Sequence, residues 1–319
     1  MACNITFTFG SKERFSKRLL FSTFKEWVLE TLTLGYLSRR TGIAYQTLSL
    51  RFSQFLNLTL DPHIYFLKLK DKLAAEGVLL GGHLLLDGDW FHHERCVVVY
   101  KDWETRRILL WRFADGEFKD NIASDINFLT TNGYPLKGVT SDWHGGAVAA
   151  VTSLNIPELP HQRCLVHTQL FGERLLTQHP ETEAGRQLLE IVYQLNSIKS
   201  LPESGVWIAW LKRWGVRHEG MLFQKSYGDG GKRWWYTHGS LRRVYYSLIH
   251  TLDHLFLYLK FPPLPKDTNC VEGFFSQLDS KLGRHRGQTQ KRREEFIAWY
   301  LFLREFPKSG VQEIPKTHT

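Results

Sequence analysis

Three carboxylates in this 319-residue chain stand where they could act together. Asp87 closes the apolar start of LLLDGDWF (84–91), Asp142 closes GVTSD (138–142), and Glu272 lies in LPKDTNCVEGFF (264–275). An acid that follows a buried β-type run emerges at a strand end. Two such runs side by side therefore bring Asp87 and Asp142 together despite their separation in sequence. Carboxylates so placed repel each other, and a divalent cation relieves the repulsion. With Glu272 as a third oxygen donor, the set suits phosphodiester attack. Two Mg²⁺ ions activate water or a 3′ hydroxyl on one side of the phosphate and stabilise the departing oxygen on the other. Mg²⁺ takes oxygen donors and commonly uses only one or two protein carboxylates, so three acids suffice and no histidine base is required.

Each acid also has an ordinary reading. Asp87 and Asp142 fit strand termination or helix capping, and Asp89 is a nearby rival to Asp87. Asn269-x-x-Glu272 matches a capping box, in which the glutamate serves only a helix-start amide. In the same stretch Val271, Phe274, Phe275, Leu278 and Leu282 form one apolar helix face, while Glu272, Ser276 and Asp279 share another flank.

The elements that must position these acids are legible in the hydrophobic pattern. HLLLDGDWF, RCVVVYKDW and RRILLWRFA predict an antiparallel meander, LKGVTSD a fourth strand and HQRCLVH a fifth, with a helix in SDWHGGAVAAVTSL. The order predicts an α/β fold, a mixed sheet flanked by helices. Upstream, residues 21–56 read as short helices broken at Gly42, with the spacing of a helix-turn-helix. Its second helix starts at Tyr45, and Arg39, Arg40, Gln46 and Arg51 suit groove and phosphate contacts; a plain helical bundle has the same pattern. Residues 168–262 alternate helical periodicity with polar joints and predict an all-helical insertion. PPLPKD then introduces the final helices. The expected segments are 1–20, 21–80, 82–167, 168–262, 263–306 and a tail, 307–319.

The net charge of +9 is concentrated in residues 1–60, 207–243 and 281–294, a distribution that favours a polyanion, most simply nucleic acid. In KRWWYTHGSLRR (232–243), Trp234 and Trp235 could stack on unpaired bases while Lys232, Arg233, Arg242 and Arg243 engage phosphates. The same aromatics could instead anchor a helical core. Four scattered cysteines form no compact disulfide framework and point to a reducing compartment. The start MACNITFTFG lacks a signal-peptide pattern and no long apolar run occurs, so the expectation is a cytoplasmic protein free of membrane.

The separated blocks LLLDGDWF, GVTSDWHGG, HQRCLVH and LPKDTNCVEGFFSQLDSKLGRHRG together resemble the DDE transposases of the IS256 and Mutator superfamily. The resemblance spans residues 20–306. It implies an RNase H-like catalytic core interrupted by a helical insertion and preceded by a helical DNA-binding segment. It further implies a catalytic, metal-binding triad of Asp87, Asp142 and Glu272, with two Mg²⁺ ions or Mn²⁺ in their place. The activity implied is cleavage of double-stranded transposon-end DNA and transfer of the 3′ hydroxyl into target DNA, in prokaryotic cytoplasm, by a homodimer in the active DNA complex. Alternatives are an RNase H-like nuclease without strand transfer and an inactive, domesticated DNA-binding protein. Cys164 and His167 match a Cys/His pair of the superfamily, to be read as packing, DNA positioning or part of a zinc site. The basic stretches KLGRHRG (281–287) and KRR (291–293), with Lys281, Arg284, His285, Arg286 and Lys291, follow on the same helical region and could hold phosphates close to the acids, and His285 and Arg286 could equally pack the active face. The chain departs from the pattern at its start, where CNITFTFG matches only the end of a zinc ribbon and leaves Cys3 without partners.

Overall fold

The computed structural model describes residues 17–30, 32–92, 95–228, 230–284 and 287–310. Four helices come first: α1 (Lys17–Leu29), α2 (Leu34–Thr41), α3 (Tyr45–Leu56) and α4 (Pro62–Ala75). Strands β1 (His83–His92), β2 (Arg95–Asp102) and β3 (Ile108–Ala114) lead to α5 (Lys119–Thr131), β4 (Gly138–Ser141), α6 (Gly145–Ser153) and β5 (His161–Arg163). Next come α7 (Leu165–Leu176), α8 (Glu183–Gln194), α9 (Leu201–Arg217) and α10 (Glu219–Phe223), then β6 (Lys225–Tyr227) and β7 (Trp234–Tyr236). The chain ends with α11 (Gly239–Ile249), α12 (Leu252–Leu255), α13 (Asn269–Arg284) and α14 (Gln290–Glu305). The fold is α/β, a mixed five-stranded sheet accompanied by many helices.

The chain divides into two compact units, residues 1–70 with 276–319 and residues 71–275. The expected linear segments did not include this pairing of N-terminal and C-terminal helices. In the first unit α14 packs on α1 and α3. Its fully buried Trp299 donates from Nε1 to the Phe55 carbonyl at 3.0 Å and meets Phe21 and Phe24 edge-on. The helix-turn-helix spacing is realised locally. Thr33 caps α2 by accepting from the Tyr36 amide, and Gly42 takes φ 70° to end it, a left-handed conformation that glycine adopts without steric cost. Leu48, Phe52 and Leu56 then bury one face of α3, leaving Tyr45, Gln46, Thr47 and Arg51 exposed.

The second unit holds the sheet, in the order β3-β2-β1-β4-β5. β1, β2 and β3 pair antiparallel, whereas β1–β4 and β4–β5 pair parallel. Leu84, Leu85 and Leu86 are all buried, so both faces of β1 are covered, as the unbroken apolar run requires. Buried Asp102 fixes the entry to β1. Its carboxylate accepts from the amides of Gly81, Gly82 and Thr105 and from the hydroxyls of Thr105 and Tyr134. Residues 165–259 are mostly helical around Leu188, Ile191, Val192, Trp207, Leu211, Trp214 and Leu248. They are tied to β5 by Gln162, which donates to the Leu255 carbonyl at 2.9 Å, and by Arg163, which donates to Ser247 and Thr251. The all-helical expectation needs correction. β6 and β7 form a hairpin, because Gly230 and Gly231 supply positive φ in the turn and the aromatic run WWY favours an extended backbone.

Replacing Asp102 by alanine leaves several amides and hydroxyls near the start of β1 without an acceptor. A loss of at least about 3 kcal/mol in urea-unfolding free energy is expected. A change below about 1 kcal/mol contradicts this role.

Candidate functional site

Parallel register sets the first two acids. Leu86 pairs with Ser141 and Ser141 with Arg163, so Asp87, Asp142 and Cys164 are each the next residue, side by side at one end of three strands. Asp87, not Asp89, occupies this row; Asp89 lies two residues further along β1, opposite Val97. Asp87 is buried, and its Oδ2 has no hydrogen-bond partner. Burial raises its pKa to about 7, with the positive charge of His167 and the nearby Thr268 hydroxyl opposing the rise and the Asp142 charge adding to it.

Asp142 sits in a strained turn. Its Oδ1 accepts from the His144 amide at 2.9 Å, and the next residue, Trp143, adopts φ 72°, an outlier for so bulky a side chain. Trp143 is held there by ring contacts with His161 and His254, at centroid distances of 4.7 and 4.4 Å. His161 in turn shares a hydrogen bond with Ser141 Oγ at 2.9 Å, and burial together with His254 pushes its pKa down to about 3, so the ring is neutral. The helix cap expected of this segment comes from His144, whose ring accepts from the Gly146 amide, and not from Asp142.

Glu272 arrives on a segment stitched to the sheet. The Pro265 carbonyl accepts from Thr140 Oγ1 at 2.7 Å, the Lys266 carbonyl from the Leu165 amide at 3.0 Å, and the Cys270 carbonyl from Lys101 Nζ at 2.7 Å. Thr268 donates from its amide and hydroxyl to Cys164 Sγ at 3.4 and 3.5 Å, and its hydroxyl also lies 3.4 Å from His167 Nδ1. The capping-box alternative fails here. Asn269 is already the first helical residue, and its amide donates to Asp267 Oδ1. Glu272 Oε1 is buried without a hydrogen-bond partner and stands 3.6 Å from His167 Nε2.

His167 links the two halves of the site. Its pKa is pushed up to about 9, chiefly by hydrogen bonding with Cys164, against burial, with the charges of Asp87 and Glu272 adding. Cys164, His167 and Glu272 offer ligand atoms within 4.8 Å of one another, the one such group among the described residues. Asp87 senses the charges of Asp142 and His167, and His167 faces Glu272, but Asp87, Asp142 and Glu272 do not together form such a group among the described residues. Cys164 Sγ is already engaged by Thr268, and no fourth ligand completes a structural zinc set among the described residues.

Glu117 was not anticipated from sequence. It lies between β3 and α5, almost wholly buried, with Oε2 unpartnered. Burial and the Asp142 charge raise its pKa to about 7. Nothing in the spacing of ADGEF marks it; only the fold brings it to Asp142.

The remaining basic and aromatic residues divide by environment. Trp234 and Trp235 are about half exposed, so they are not core anchors; Lys232, Arg233 and Arg243 beside them are exposed. With Tyr236, Arg242, Tyr246 and His250, Trp235 and Arg243 line an open cleft of about 620 Å³. Lys225 covers Trp234 at 4.0 Å, and Arg242 is spent on packing, over Tyr236 and Tyr246 and donating to the Leu222 carbonyl. In the other unit Arg39, Gln46 and Arg284 are exposed, and Arg51 reaches Gln54. Arg40 pairs with Glu26 and Lys291 with Glu295, while Lys281 turns inward to the Leu29 carbonyl over Tyr300. His285 and Arg286 lie outside the described residues. No helix among the described residues is long and apolar enough to cross a membrane.

No family model and no curated protein sequence matches the chain.

The site has a signature in stability. Asp87 and Glu117 bind protons in the folded chain up to about pH 7 but release them near pH 4 when unfolded, so metal-free stability falls as pH rises between those values. His167 holds its proton to about pH 9 when folded, and the stability this confers, complete below about pH 6.5, is lost as pH rises through 9. Neutral His161 works the other way below about pH 6.5, so melting temperature in chelator is expected to fall from about pH 7 to 9. Mn²⁺ should raise it more at pH 8 than at pH 5, and Asp87→Asn should flatten the acidic part of the profile. A melting temperature that rises across this range contradicts the assignment.

Proposed function

We propose that this chain is a transposase similar to the DDE enzymes of the superfamily named above, cutting double-stranded transposon-end DNA and joining the released 3′ hydroxyl to target DNA. The observation that carries the reading is the buried Oδ2 of Asp87, without a hydrogen-bond partner and in register with Asp142 at the strand ends, with His167 beside it and ion-paired to Glu272 Oε1. A buried acceptor without a donor is costly, by about 1–3 kcal/mol even for a neutral group, and native sites retain one where a ligand supplies the missing charge. Three hard oxygen donors fit Mg²⁺ or Mn²⁺. The strand order, with three antiparallel strands followed by two parallel ones, is compatible with an RNase H-like core and supports the same reading.

Asp87, Asp142 and Glu272 would hold two such ions, which when bound supply an activated nucleophile and charge stabilisation at the leaving oxygen. The protein's own contribution is placement. The parallel register fixes Asp87 beside Asp142, and the Trp143 turn holds Asp142 at its strand end. Thr268 locks the start of α13 to Cys164 and His167, and His167 faces Glu272. Protonated His167 lowers the repulsion between Asp87 and Glu272 and is no proton acceptor at neutral pH. Neutral His161 is occupied with Ser141. Positioning of DNA falls to other surfaces: the exposed start of α3 for a duplex groove, and Trp234, Trp235 and Arg243 for unpaired bases at a cut end. The active form on paired ends is proposed to be a homodimer.

The test is incubation of the purified chain with Mg²⁺ and labelled DNA carrying its element's ends. Nicked and joined products are expected, and Asp87→Asn, Asp142→Asn or Glu272→Gln should each reduce both by about 100-fold or more. DNA affinity should stay within about threefold, because phosphate contacts lie elsewhere. Cleavage without joining selects the nuclease reading; tight binding with no cleavage selects a DNA-binding module. Wild-type rates in all three variants overturn the site.

A further inference from the structure

Two glycines in the motif blocks have one neighbour in common. A methyl group on Gly88, the residue after Asp87, would lie 2.7 Å from Glu117 Oε1, and one on Gly146, at the start of α6, would lie 1.7 Å from the Glu117 backbone oxygen. Gly88 makes room for the carboxylate, and Gly146 for the backbone that carries it. Neither glycine has positive φ, so backbone conformation does not account for them; close approach does.

Glu117 does no evident structural work in return for this room. The N-cap of α5 is Phe118, which provides no side-chain hydrogen bond, and Glu117 Oε2 has no partner although the residue is 9 % exposed. Its charged neighbours are Asp142 and His167, and Asp87 feels its charge. A buried carboxylate oxygen without a donor, beside the charges of Asp142 and Asp87, calls for positive charge, which His167 supplies in part and a bound cation would complete.

We propose that Glu117 is a fourth carboxylate of the divalent-cation site, a ligand shared with Asp142 and Asp87, and that Gly88 and Gly146 are glycine because they admit it. The proposal rests on the metal-dependent reading given above and extends it by one ligand. Four acids in place of three bind the cation more tightly before any DNA arrives, since one more protein oxygen replaces water.

Mn²⁺ binding to the full chain, followed by titration calorimetry without DNA, tests this. Glu117→Gln keeps the volume and removes the charge; its affinity should fall about tenfold or more, with a melting temperature in chelator equal to or above that of the wild type. Gly88→Ala should weaken binding in the same direction. If Glu117→Gln does not fold, Glu117→Asp, which withdraws the carboxylate by one methylene, should show the same loss. Glu117→Gln binding within twofold of the wild type, where Asp87→Asn binds none, removes Glu117 and leaves the three-acid site intact. A weaker affinity accompanied by a lower melting temperature in chelator marks Glu117 as structural and overturns the proposal. A wild-type chain that binds no Mn²⁺ removes the site as well as this extension of it.

Discussion

Acidic side chains drawn toward one end of the sheet, two of them out of water, are the constraint around which the sheet unit is organised. Asp87, Glu117, Asp142 and Glu272 come from four separate places in the sequence and converge near the ends of the parallel strands. Two of them are buried, and three carry a buried oxygen without a hydrogen-bond partner. Nothing in hydrophobic packing favours that arrangement. It persists because the surrounding structure fixes each carboxylate independently, through strand register, a strained turn, a stitched helix start and a close glycine contact.

His167 shows how the fold tolerates the repulsion in the absence of an ion. Its imidazolium, favoured by Cys164 and by the acids on either side, places one positive charge among several negative ones. The Cys164-x-x-His167 pair thus has a physical role beyond that of a metal-binding motif. Cys164 opens α7 and anchors Thr268, and His167, one turn later, faces Glu272. The same pair orients the helix start and compensates its charge.

Much of the sheet was legible because its signals are local. Apolar runs bounded by polar turns gave all five strands, and acids at the ends of two of those runs gave Asp87 and Asp142. Glu272 was found through motif order, yet its helix begins differently from the capping pattern: the Thr268 hydroxyl is drawn to Cys164 and His167, and Asn269 is already helical. Glu117 left no trace in sequence, since a lone glutamate after a strand acquires meaning only when Gly88 and Gly146 close around it. The β6–β7 hairpin was hidden because strands of three residues carry too little periodicity. Helical periodicity likewise identified the last helix but not its company, for the apolar face of α14 is complementary to α1 and α3, far upstream.

The most direct measurement of the central claim is anomalous diffraction from crystals of the chain grown at pH 8 with Mn²⁺. The account predicts anomalous peaks in the space bounded by Asp87, Asp142 and Glu272, about 3.5–4 Å apart if both ions bind without DNA, with carboxylate oxygens as ligands. Absence of any peak there, or a single peak confined to Cys164 and His167, would contradict it.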